Sequence, residues 1–421
     1  MLLEFRCSNF RSFRSPVLFS MLAGQDDSHQ ETLVAFENHR VLKSAVVYGA
    51  NGSGKSNLVK AILFLKQLVL ESVSLQPGQM IRHQPHKKST ERESSEFSLQ
   101  FVKNGMRYLY GFTQTSTGID EERLFYYPNG RQVKIFTRKG NVFQEGDRFK
   151  GRFEQCRDVL MPNRLMLSCA ANFSTVSEVQ KAFGYFRDDL VVYSGYGEEF
   201  WLPYSLCNFD TYPDKKQKFI QVLQGLCPGI KDVQIEKREI KHQHEEMPAA
   251  RKDDSNAIVA QVSEVRYKAK VQYDTFDIPL QEESSGVQRL VEFLCPFLDV
   301  IMNERTLVCD ELESSFHEAI VKKVVEWFSK VQKSASQLIF TTHDTSILNL
   351  DMFRRDQIWF TEMRGDSRET DLYSLAEIRG VRKDDNVAKG YISGRYGAIP
   401  MLNVDFADVL REGLKNDEWR R

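Results

Sequence analysis

One stretch near the N-terminus limits the folds open to this chain more than any other. Residues 49–56 read Gly-Ala-Asn-Gly-Ser-Gly-Lys-Ser, which places glycines, a lysine and a hydroxyl residue at the spacing of a P-loop. The apolar run Ser44–Tyr48 before it is typical of a buried strand, and residues 57–71 after it repeat apolar side chains every three or four positions, as an amphipathic helix does. A strand, a glycine-rich loop and a helix in this order predict an α/β fold.

The loop itself predicts contacts with the phosphates of a nucleoside triphosphate. Its glycines let backbone N–H groups converge on an anion, at the helix end where the dipole is positive. Lys55 is expected to reach the β and γ phosphates, and Ser56 to bind Mg²⁺. An ordinary glycine-rich turn is the alternative, and the flanking strand and helix argue against it. The candidate nucleotide contacts are Gly49, Asn51, Gly52, Ser53, Gly54, Lys55, Ser56 and Asn57.

Composition narrows the class of protein without identifying its partners. The 421 residues carry 57 Lys and Arg against 58 Asp and Glu, so the net charge does not by itself indicate nucleic-acid binding. No apolar run approaches the roughly 18 residues of a membrane span, and the first residues alternate like a strand, without the apolar segment of a signal peptide. The seven cysteines form no CxxC pair. We expect a cytoplasmic protein with no membrane partner, no disulfides and no zinc.

The N-terminal third predicts antiparallel strands. Residues 2–22 alternate polar and apolar side chains on both sides of a turn, which predicts a hairpin. The turn presents Arg11 to the nucleotide, although a surface arginine is an equally good interpretation. Short alternating runs separated by turns such as Asn-Gly predict an antiparallel meander over residues 96–145. Residues 77–95, between the two, are polar and of mixed charge, which favours a mobile surface loop.

The middle of the chain carries no recognisable motif. Residues 152–233 predict mainly helix, with breaks at positions such as Gly195, and we interpret them as an insertion. Residues 241–256 include histidines and glutamates but few large apolar side chains, so a flexible loop is preferred to a metal site.

Two acids end the next strand. Residues 306–311, Thr-Leu-Val-Cys-Asp-Glu, predict a short buried strand with the form of a Walker B segment. Asp310 would then hold Mg²⁺, mostly through water, and Glu311 would act as general base on the attacking water. A strand that ends in exposed acids is the alternative, which the P-loop upstream makes less attractive.

A histidine follows the next predicted strand after the Walker B segment. Residues 337–340 are followed by Thr-Thr-His-Asp, so His343 is presented at the carboxyl edge, where parallel α/β sheets bind nucleotides. We predict a contact between His343 and the γ-phosphate. A structural histidine is the alternative.

A short polar segment precedes the helix that leads into the Walker B strand. It reads Glu-Ser-Ser-Gly at residues 283–286, so the hydroxyl of Ser284 and the N–H of Gly286 face an anion at a helix N-terminus. Taken alone, this segment is only a capping sequence.

Taken together and in this order, the P-loop, the Ser-x-Gly segment, the Asp-Glu strand and the strand-histidine resemble an ABC-type ATPase head. In that family the Ser-x-Gly signature binds the γ-phosphate held by a second protomer, so the resemblance implies that Ser284 and Gly286 act in trans and that two heads sandwich two ATP molecules. It implies ATP and Mg²⁺ as ligands and a homodimer or higher homo-oligomer. The fold implied is one ABC-type P-loop ATPase head, assembled from both ends of residues 1–421, with the antiparallel β subdomain and the helical insertion inside it.

In more detail, the chain resembles the RloA-like ATPases. These are bacterial proteins that are related to the RecF, OLD and SMC heads and are found in antiphage systems such as RloAB, PARIS and Septu. The segments that carry this resemblance are residues 9–13, 49–56, 283–286, 310–317, 342–346, 355–360 and 391–400. The chain departs from transporter ATPases, because its signature is not Leu-Ser-Gly-Gly-Gln and more than two hundred residues separate it from the P-loop. No clear Q-loop glutamine can be picked, and Asn172, after the apolar run 165–167, is a candidate for that place. No Asn-Lys-x-Asp motif follows the P-loop, so GTP is disfavoured as the nucleotide.

The resemblance implies an ATP-hydrolysing subunit of a bacterial antiphage system of the abortive-infection type, which acts as sensor and scaffold for a separate effector. About 78 residues follow His343, fewer than the roughly 100 of a further domain. We therefore expect the effector, a nuclease of Toprim or HNH type, on a second polypeptide, with DNA or a phage protein as the trigger. The alternative is a RecF-like ATPase that acts directly on DNA in repair or recombination, and a transporter motor is a third class.

Overall fold

The computed structural model describes residues 1–194, 201–243, 261–314, 316–331 and 334–399. The strands in this part of the chain are β1 (Leu2–Ser8), β2 (Val17–Ser20), β3 (Leu33–Phe36), β4 (His39–Leu42), β5 (Ser44–Tyr48), β6 (Ser95–Lys103), β7 (Met106–Gln114), β8 (Ile119–Tyr126), β9 (Val133–Lys139), β10 (Val142–Glu145), β11 (Leu190–Tyr193), β12 (Asp232–Gln243), β13 (Gln261–Gln272), β14 (Asp277–Pro279), β15 (Thr306–Cys309), β16 (Gln337–Thr341), β17 (Ile358–Met363) and β18 (Thr370–Ser374). The helices are α1 (Lys55–Glu71), α2 (Glu154–Val159), α3 (Met166–Phe173), α4 (Ser177–Gly184), α5 (Trp201–Thr211), α6 (Pro213–Leu226), α7 (Ser285–Met302), α8 (Glu318–Lys330) and α9 (Val387–Ile392).

A six-stranded sheet lies at the centre, in the order β11-β15-β16-β5-β17-β18. Its first five strands are parallel, and β18 runs antiparallel to β17. Every residue of β5 is buried, with Ala45 and Val47 in the core on one side and Val46 and Tyr48 in the core on the other. A continuous apolar strand is what a parallel sheet covered on both faces requires. The α/β fold class predicted from the P-loop and its flanks is therefore confirmed.

A seven-stranded antiparallel sheet, in the order β10-β9-β8-β7-β6-β1-β2, covers one face of the molecule. The predicted N-terminal hairpin is confirmed, with Phe5 of β1 opposite Phe19 of β2, and the meander expected over residues 96–145 corresponds to β6–β10. Helix α1 lies between this sheet and the central one, because its Phe64 ring packs 5.0 Å from Phe97 and 5.7 Å from Phe10. The helix that follows the P-loop is thus buried on two sides.

The opposite face of the central sheet is covered by helices. Phe293 of α7, Val324 of α8 and Val387 of α9 share one apolar core with the strands. A third core joins α5, α6 and α7 to the three-stranded sheet β12-β13-β14, with the tilted rings of Phe209 and Phe219 4.2 Å apart. None of the helices in the described part of the chain combines the length and the apolarity that crossing a bilayer demands.

The structure differs from the sequence-based expectations in the middle of the chain. The segment 152–233, expected to be a helical insertion, contains β11, which is an edge strand of the central sheet. Its four residues, Leu-Val-Val-Tyr, are too few for periodicity to separate a strand from a helix. Residues 241–243 continue β12, so the flexible-loop interpretation is wrong for them, while 244–256, Gly195 and Pro400 lie outside the described residues.

Candidate active site

The predicted site residues follow neighbouring strands at one edge of the central sheet. Gly49 follows β5, Asp310 follows β15 and His343 lies just beyond β16. These three strands are adjacent and parallel, with Cys309 opposite Phe340 and Thr341 opposite Val47. Parallel strands bring their carboxyl ends to the same edge, so segments that are hundreds of residues apart in sequence meet there.

The P-loop is packed tightly against the C-terminal half of the chain. Gly54 precedes the first residue of α1 and has a φ of 117°, a conformation that favours glycine. A Cβ at this position would also lie only 2.6 Å from Cγ2 of Thr370. The hydroxyl of Thr370 lies 2.7 Å from the carbonyl oxygen of Ser53, and the hydroxyl of Ser53 lies 2.7 Å from that of Thr361. Side chains of strands β17 and β18 therefore hold the P-loop in place.

A second contact joins the P-loop to the segment after α9. The N–H of Ala50 donates to the carbonyl oxygen of Ala398 over 2.9 Å, and the hydroxyl of Tyr391 donates to the same oxygen over 3.0 Å. Ala398 is buried and has a φ of 59°, a left-handed conformation that a non-glycine residue holds only when its surroundings enforce it. The C-terminal segment that the sequence marked only as a family feature thus contacts the P-loop directly.

Lys55 is buried within the site. Its Nζ donates to the carbonyl oxygens of Gly49 over 2.7 Å and Ala50 over 3.2 Å, and lies 3.4 Å from Nδ1 of His343. Burial lowers the pKa of Lys55 to about 8, against the opposing effect of Asp310 and other nearby carboxylates. The ammonium group remains charged at neutral pH and can move to an arriving phosphate.

Thr341 joins the two strands that carry the acids and the histidine. Its hydroxyl donates to Oδ1 of Asp310 over 2.6 Å and accepts from the N–H of Glu311 over 2.8 Å. The N–H of Leu312 donates to the Thr341 carbonyl oxygen over 3.1 Å. These bonds hold Glu311 at a φ of 48°, which costs a non-glycine residue roughly 1–2 kcal/mol. Sequence reasoning missed Thr341, because a threonine at a strand end carries no signal of its own.

His343 lies between the lysine and the general-base candidate. Its Nδ1 faces Lys55, which can only donate, so this nitrogen is an acceptor and the proton is on Nε2. Nε2 is 3.9 Å from Oε1 of Glu311. Burial, followed by the charge of Lys55, lowers the pKa of His343 and favours the neutral ring.

A third acid belongs to the same cluster. The backbone N–H of His343 donates to Oε1 of Glu313 over 2.6 Å. Oε2 of Glu313 is buried and accepts no hydrogen bond within the described residues. Sequence reasoning missed Glu313, although its position three residues after Asp310 was the available signal.

The N-terminal turn reaches the other side of the P-loop. Asn57 donates to the hydroxyl of Ser12 over 2.7 Å, and Arg11 bonds Gln84 twice, through its backbone N–H over 2.8 Å and its Nε over 3.0 Å. Burial, followed by Arg82, lowers the pKa of Arg11. The structure thus brings Arg11 beside the P-loop.

A cavity of about 920 Å³ opens there. It is lined by Arg11, Gly52, Asn57, residues 80–87 and Arg368, among others. The loop over residues 77–95 was expected to be mobile and solvated, but it folds over this cavity, with Ile81 and His86 buried. Hydrogen bonds to the N-terminal turn, which composition does not reveal, account for the difference.

The Ser-x-Gly segment lies apart from these groups. Ser284 is the N-cap of α7, is exposed, and accepts from the N–H of Val287 over 3.3 Å. Glu283, before it, accepts from the hydroxyl of Tyr273 over 2.8 Å. Among the described residues no hydrogen bond joins Ser284 or Gly286 to the P-loop. Asn172, the Q-loop candidate, donates within its own helix to Ser168 over 2.9 Å.

The donor set at the sheet edge suits a hard divalent cation that also binds phosphate. In the described residues no group of three or more His, Cys, Asp or Glu is arranged to hold a metal by itself. Mg²⁺ characteristically takes one or two protein oxygens and fills its other positions with phosphate and water. Ser56, in the first turn of α1, and Asp310, with one oxygen fixed by Thr341, supply such oxygens.

Comparison with known proteins gives one family. A family model described as "AAA domain, putative AbiEii toxin, Type IV TA system" matches residues 44–151 and 212–349, which include the P-loop, Ser284, Asp310 and His343. No curated protein matches the chain.

Solved structures of SMC heads are similar to the chain. The Smc head bound to the C-terminal winged-helix domain of ScpA has a TM-score of 0.44 at 16% identity, covering 89% of this chain and 99% of that one. The SMC head domain from Thermotoga maritima has a TM-score of 0.40 at 15% identity, with 89% and 98% covered. The Smc head with an extended coiled coil bound to the C-terminal domain of ScpA, derived from Pyrococcus furiosus, has a TM-score of 0.38 at 16% identity, with 89% and 97% covered.

Proposed function

Because the chain belongs to the family described as "AAA domain, putative AbiEii toxin, Type IV TA system", we propose that it binds ATP with Mg²⁺ at the sheet edge and hydrolyses it there. The observation that carries this proposal is the meeting of Lys55, Asp310, Glu311 and His343 in one cluster beside the P-loop. The contacts between β5 and the strands β16 and β17 support a single head built from both ends of the chain.

The binding step uses groups that are already in place. Backbone N–H groups of the loop and the positive end of α1 attract the phosphates. Lys55 leaves the carbonyl oxygens of Gly49 and Ala50 and donates to the β and γ phosphates instead. The cavity bounded by Arg11 and Asn57 adjoins the loop and is large enough for the base and ribose. Ser56 and Asp310 would hold Mg²⁺, which would neutralise charge on the phosphates.

In the hydrolytic step, Glu311 accepts a proton from the attacking water. The water oxygen forms a bond to the γ-phosphorus while the bond to the β–γ bridging oxygen breaks, leaving ADP and phosphate. His343 donates its Nε2 proton in a hydrogen bond to a γ-phosphate oxygen, and Lys55 stabilises the charge that develops. General-base catalysis by one residue typically contributes about 10²–10⁴-fold in rate.

A comparison of variants tests the assignment of the base. Glu311→Gln is expected to retain ATP binding and to lower turnover by about 10²-fold or more, while Lys55→Ala lowers binding itself. Glu154→Gln, at an exposed position in α2, is the charge-matched control and should turn over ATP at the wild-type rate. Phosphate release and the affinity for a labelled ATP analogue are the measurements. Near-normal turnover by purified Glu311→Gln would refute the role of Glu311.

We infer that the active species is a dimer or a higher oligomer. Ser284 is exposed at the N-terminus of an 18-residue helix, and its bonds stay within its own segment, so it is accessible to a phosphate held by another copy. A helix N-terminus that carries a hydroxyl and a glycine N–H suits the γ-phosphate of a second chain.

For the biological role, we propose that the ATPase controls a separate effector, a nuclease, in an abortive-infection response to a phage. The family description, which names an AbiEii toxin, and the RloA-like motifs support this role. Co-expression with the neighbouring reading frame and purification through a tag on this chain should yield a stoichiometric complex. Full protection from phage, or metal-dependent cleavage of nucleic acid, by this chain alone would overturn the proposal.

A further inference from the structure

Glu313 connects the turn after β15 with the turn after β16. Its Oε1 accepts the backbone N–H of His343 over 2.6 Å, which is a short bond to a charged acceptor. We infer that Glu313 is a positioning residue for His343, and that its hydrogen bond holds the imidazole in register with the γ-phosphate. The inference rests on the proposed ATP hydrolysis.

The bond to Glu313 adds a backbone contact for His343 to the contact that its Nδ1 makes with Lys55. The His343 side chain is 38% exposed, so packing alone does not fix it. The residues on either side of His343 bond to β5 instead. The N–H of Thr342 donates to the carbonyl oxygen of Val47 over 3.2 Å, and the carbonyl oxygen of Asp344 accepts from the hydroxyl of Tyr48 over 3.1 Å. The bond to Glu313 is the one that the N–H of His343 makes among the described residues.

Glu313 lies in a hydrogen-bonded segment after β15. The N–H of Ser314 donates to the carbonyl oxygen of Glu311 over 2.9 Å, and that of Phe316 to the carbonyl oxygen of Glu313 over 2.8 Å. Leu312, between the two acids, is buried. The same short segment therefore carries both the candidate base, Glu311, and the carboxylate that bonds the His343 N–H.

The chemistry of Glu313 separates two roles. If the carboxylate acts as a hydrogen-bond acceptor, Glu313→Gln retains an oxygen at the same position and keeps the histidine in place. If the negative charge of Glu313 acted on Lys55 instead, Glu313→Gln and Glu313→Ala would lower kcat equally. The bond to the His343 N–H is direct, whereas Glu313 is the smallest of the three carboxylate influences on Lys55, after Asp310 and Glu311, so positioning is the role that the geometry supports.

Steady-state ATP hydrolysis by single and double variants tests the inference. Glu313→Ala is expected to lower kcat about tenfold or more, with KM for ATP within about threefold of wild type, because a charge-assisted hydrogen bond is lost in the catalytic step. Glu313→Gln should stay within about threefold of the wild-type kcat. Glu313→Ala combined with His343→Ala should be no slower than His343→Ala alone, because both act through one group. Glu318→Ala, at the exposed start of α8, is the control and should behave as wild type.

The outcomes distinguish failure of the inference from failure of the proposed function. An unchanged kcat in Glu313→Ala, equal losses in Glu313→Gln and Glu313→Ala, or additive losses with His343→Ala would each overturn the positioning role while the wild type still hydrolyses ATP. Binding of a labelled ATP analogue and thermal unfolding show that each variant is folded. A folded wild type that binds no ATP, or binds it without turnover, would overturn the proposed function and the inference with it.

Discussion

The hydroxyl of Thr341 donates to Oδ1 of Asp310 over 2.6 Å and accepts from the backbone N–H of Glu311 over 2.8 Å, so one side chain contacts both Asp310 and Glu311. Thr341→Val keeps the shape and removes both bonds. We expect the free energy of unfolding to fall by about 1–3 kcal/mol, as for a buried polar group left unpaired, and turnover to fall about tenfold or more. Thermal unfolding and ATP hydrolysis are the measurements.

Thr341→Ser is the matched control, because it retains the hydroxyl and loses only a methyl group. It should preserve most of the turnover. Equal damage in the serine and valine variants would mean that packing of the methyl group, and not the hydrogen bonds to Asp310 and Glu311, accounts for the loss.

Mixing two inactive variants tests whether Ser284 acts on a second chain. Ser284→Arg places a large cation at the exposed N-terminus of α7 and should abolish hydrolysis, and Lys55→Ala should do the same at the P-loop. Together they should regain up to half of the wild-type activity per composite dimer, since one site then pairs an intact P-loop with an intact signature. No regain, together with a specific activity independent of protein concentration and an active monomer by size, would contradict the trans arrangement.

A substitution of Arg11 tests whether the cavity beside the P-loop binds the nucleotide. Its Nε donates to Oε1 of Gln84 over 3.0 Å, so Arg11→Ala removes both a cation and a hydrogen bond to the loop over residues 77–95. We expect affinity for ATP to fall about tenfold, with kcat for bound ATP within about threefold. Arg6→Ala, in the adjacent strand and exposed, is the control, and its affinity should equal that of wild type. A loss of kcat without a loss of affinity would place Arg11 in the catalytic step instead.

The burial of Lys55 predicts a pH dependence of nucleotide binding. Its pKa of about 8 lies below the roughly 10.4 of an unfolded lysine. Between these two values the folded, nucleotide-free protein has lost a proton that the unfolded chain keeps, so this group adds stability as pH rises there and removes a cation from the site. Affinity for a non-hydrolysable ATP analogue should therefore decrease above about pH 8, whereas the weak binding of Lys55→Ala should not. Constant wild-type affinity from pH 7 to 9.5, with circular dichroism unchanged, would contradict the assignment.

The sequence predicted those parts of the fold whose signals are local. The glycines of the P-loop, the apolar run of β5 and the Asp-Glu strand end each reflect a local requirement, so strand, loop and helix are found where expected. Thr341 and Glu313 were missed because their roles depend on a neighbouring strand that is near in space only. Strand β11 was taken for part of a helical segment because its partner, β15, is more than a hundred residues further along the chain. Tertiary contacts, not propensity, decided these cases.

The place of β5 in the central sheet has a consequence for synthesis of the protein. β5 ends at Tyr48, yet its two partners, β16 and β17, begin at Gln337 and Ile358. A nascent chain would carry a completed P-loop segment with both strand edges unpaired until some 300 further residues had left the ribosome, which at 5–20 residues per second takes at least about 15 seconds. Unpaired apolar edges favour aggregation during that interval, so we expect the yield of folded protein to depend more on chaperones and on translation rate than on the stability of the finished head.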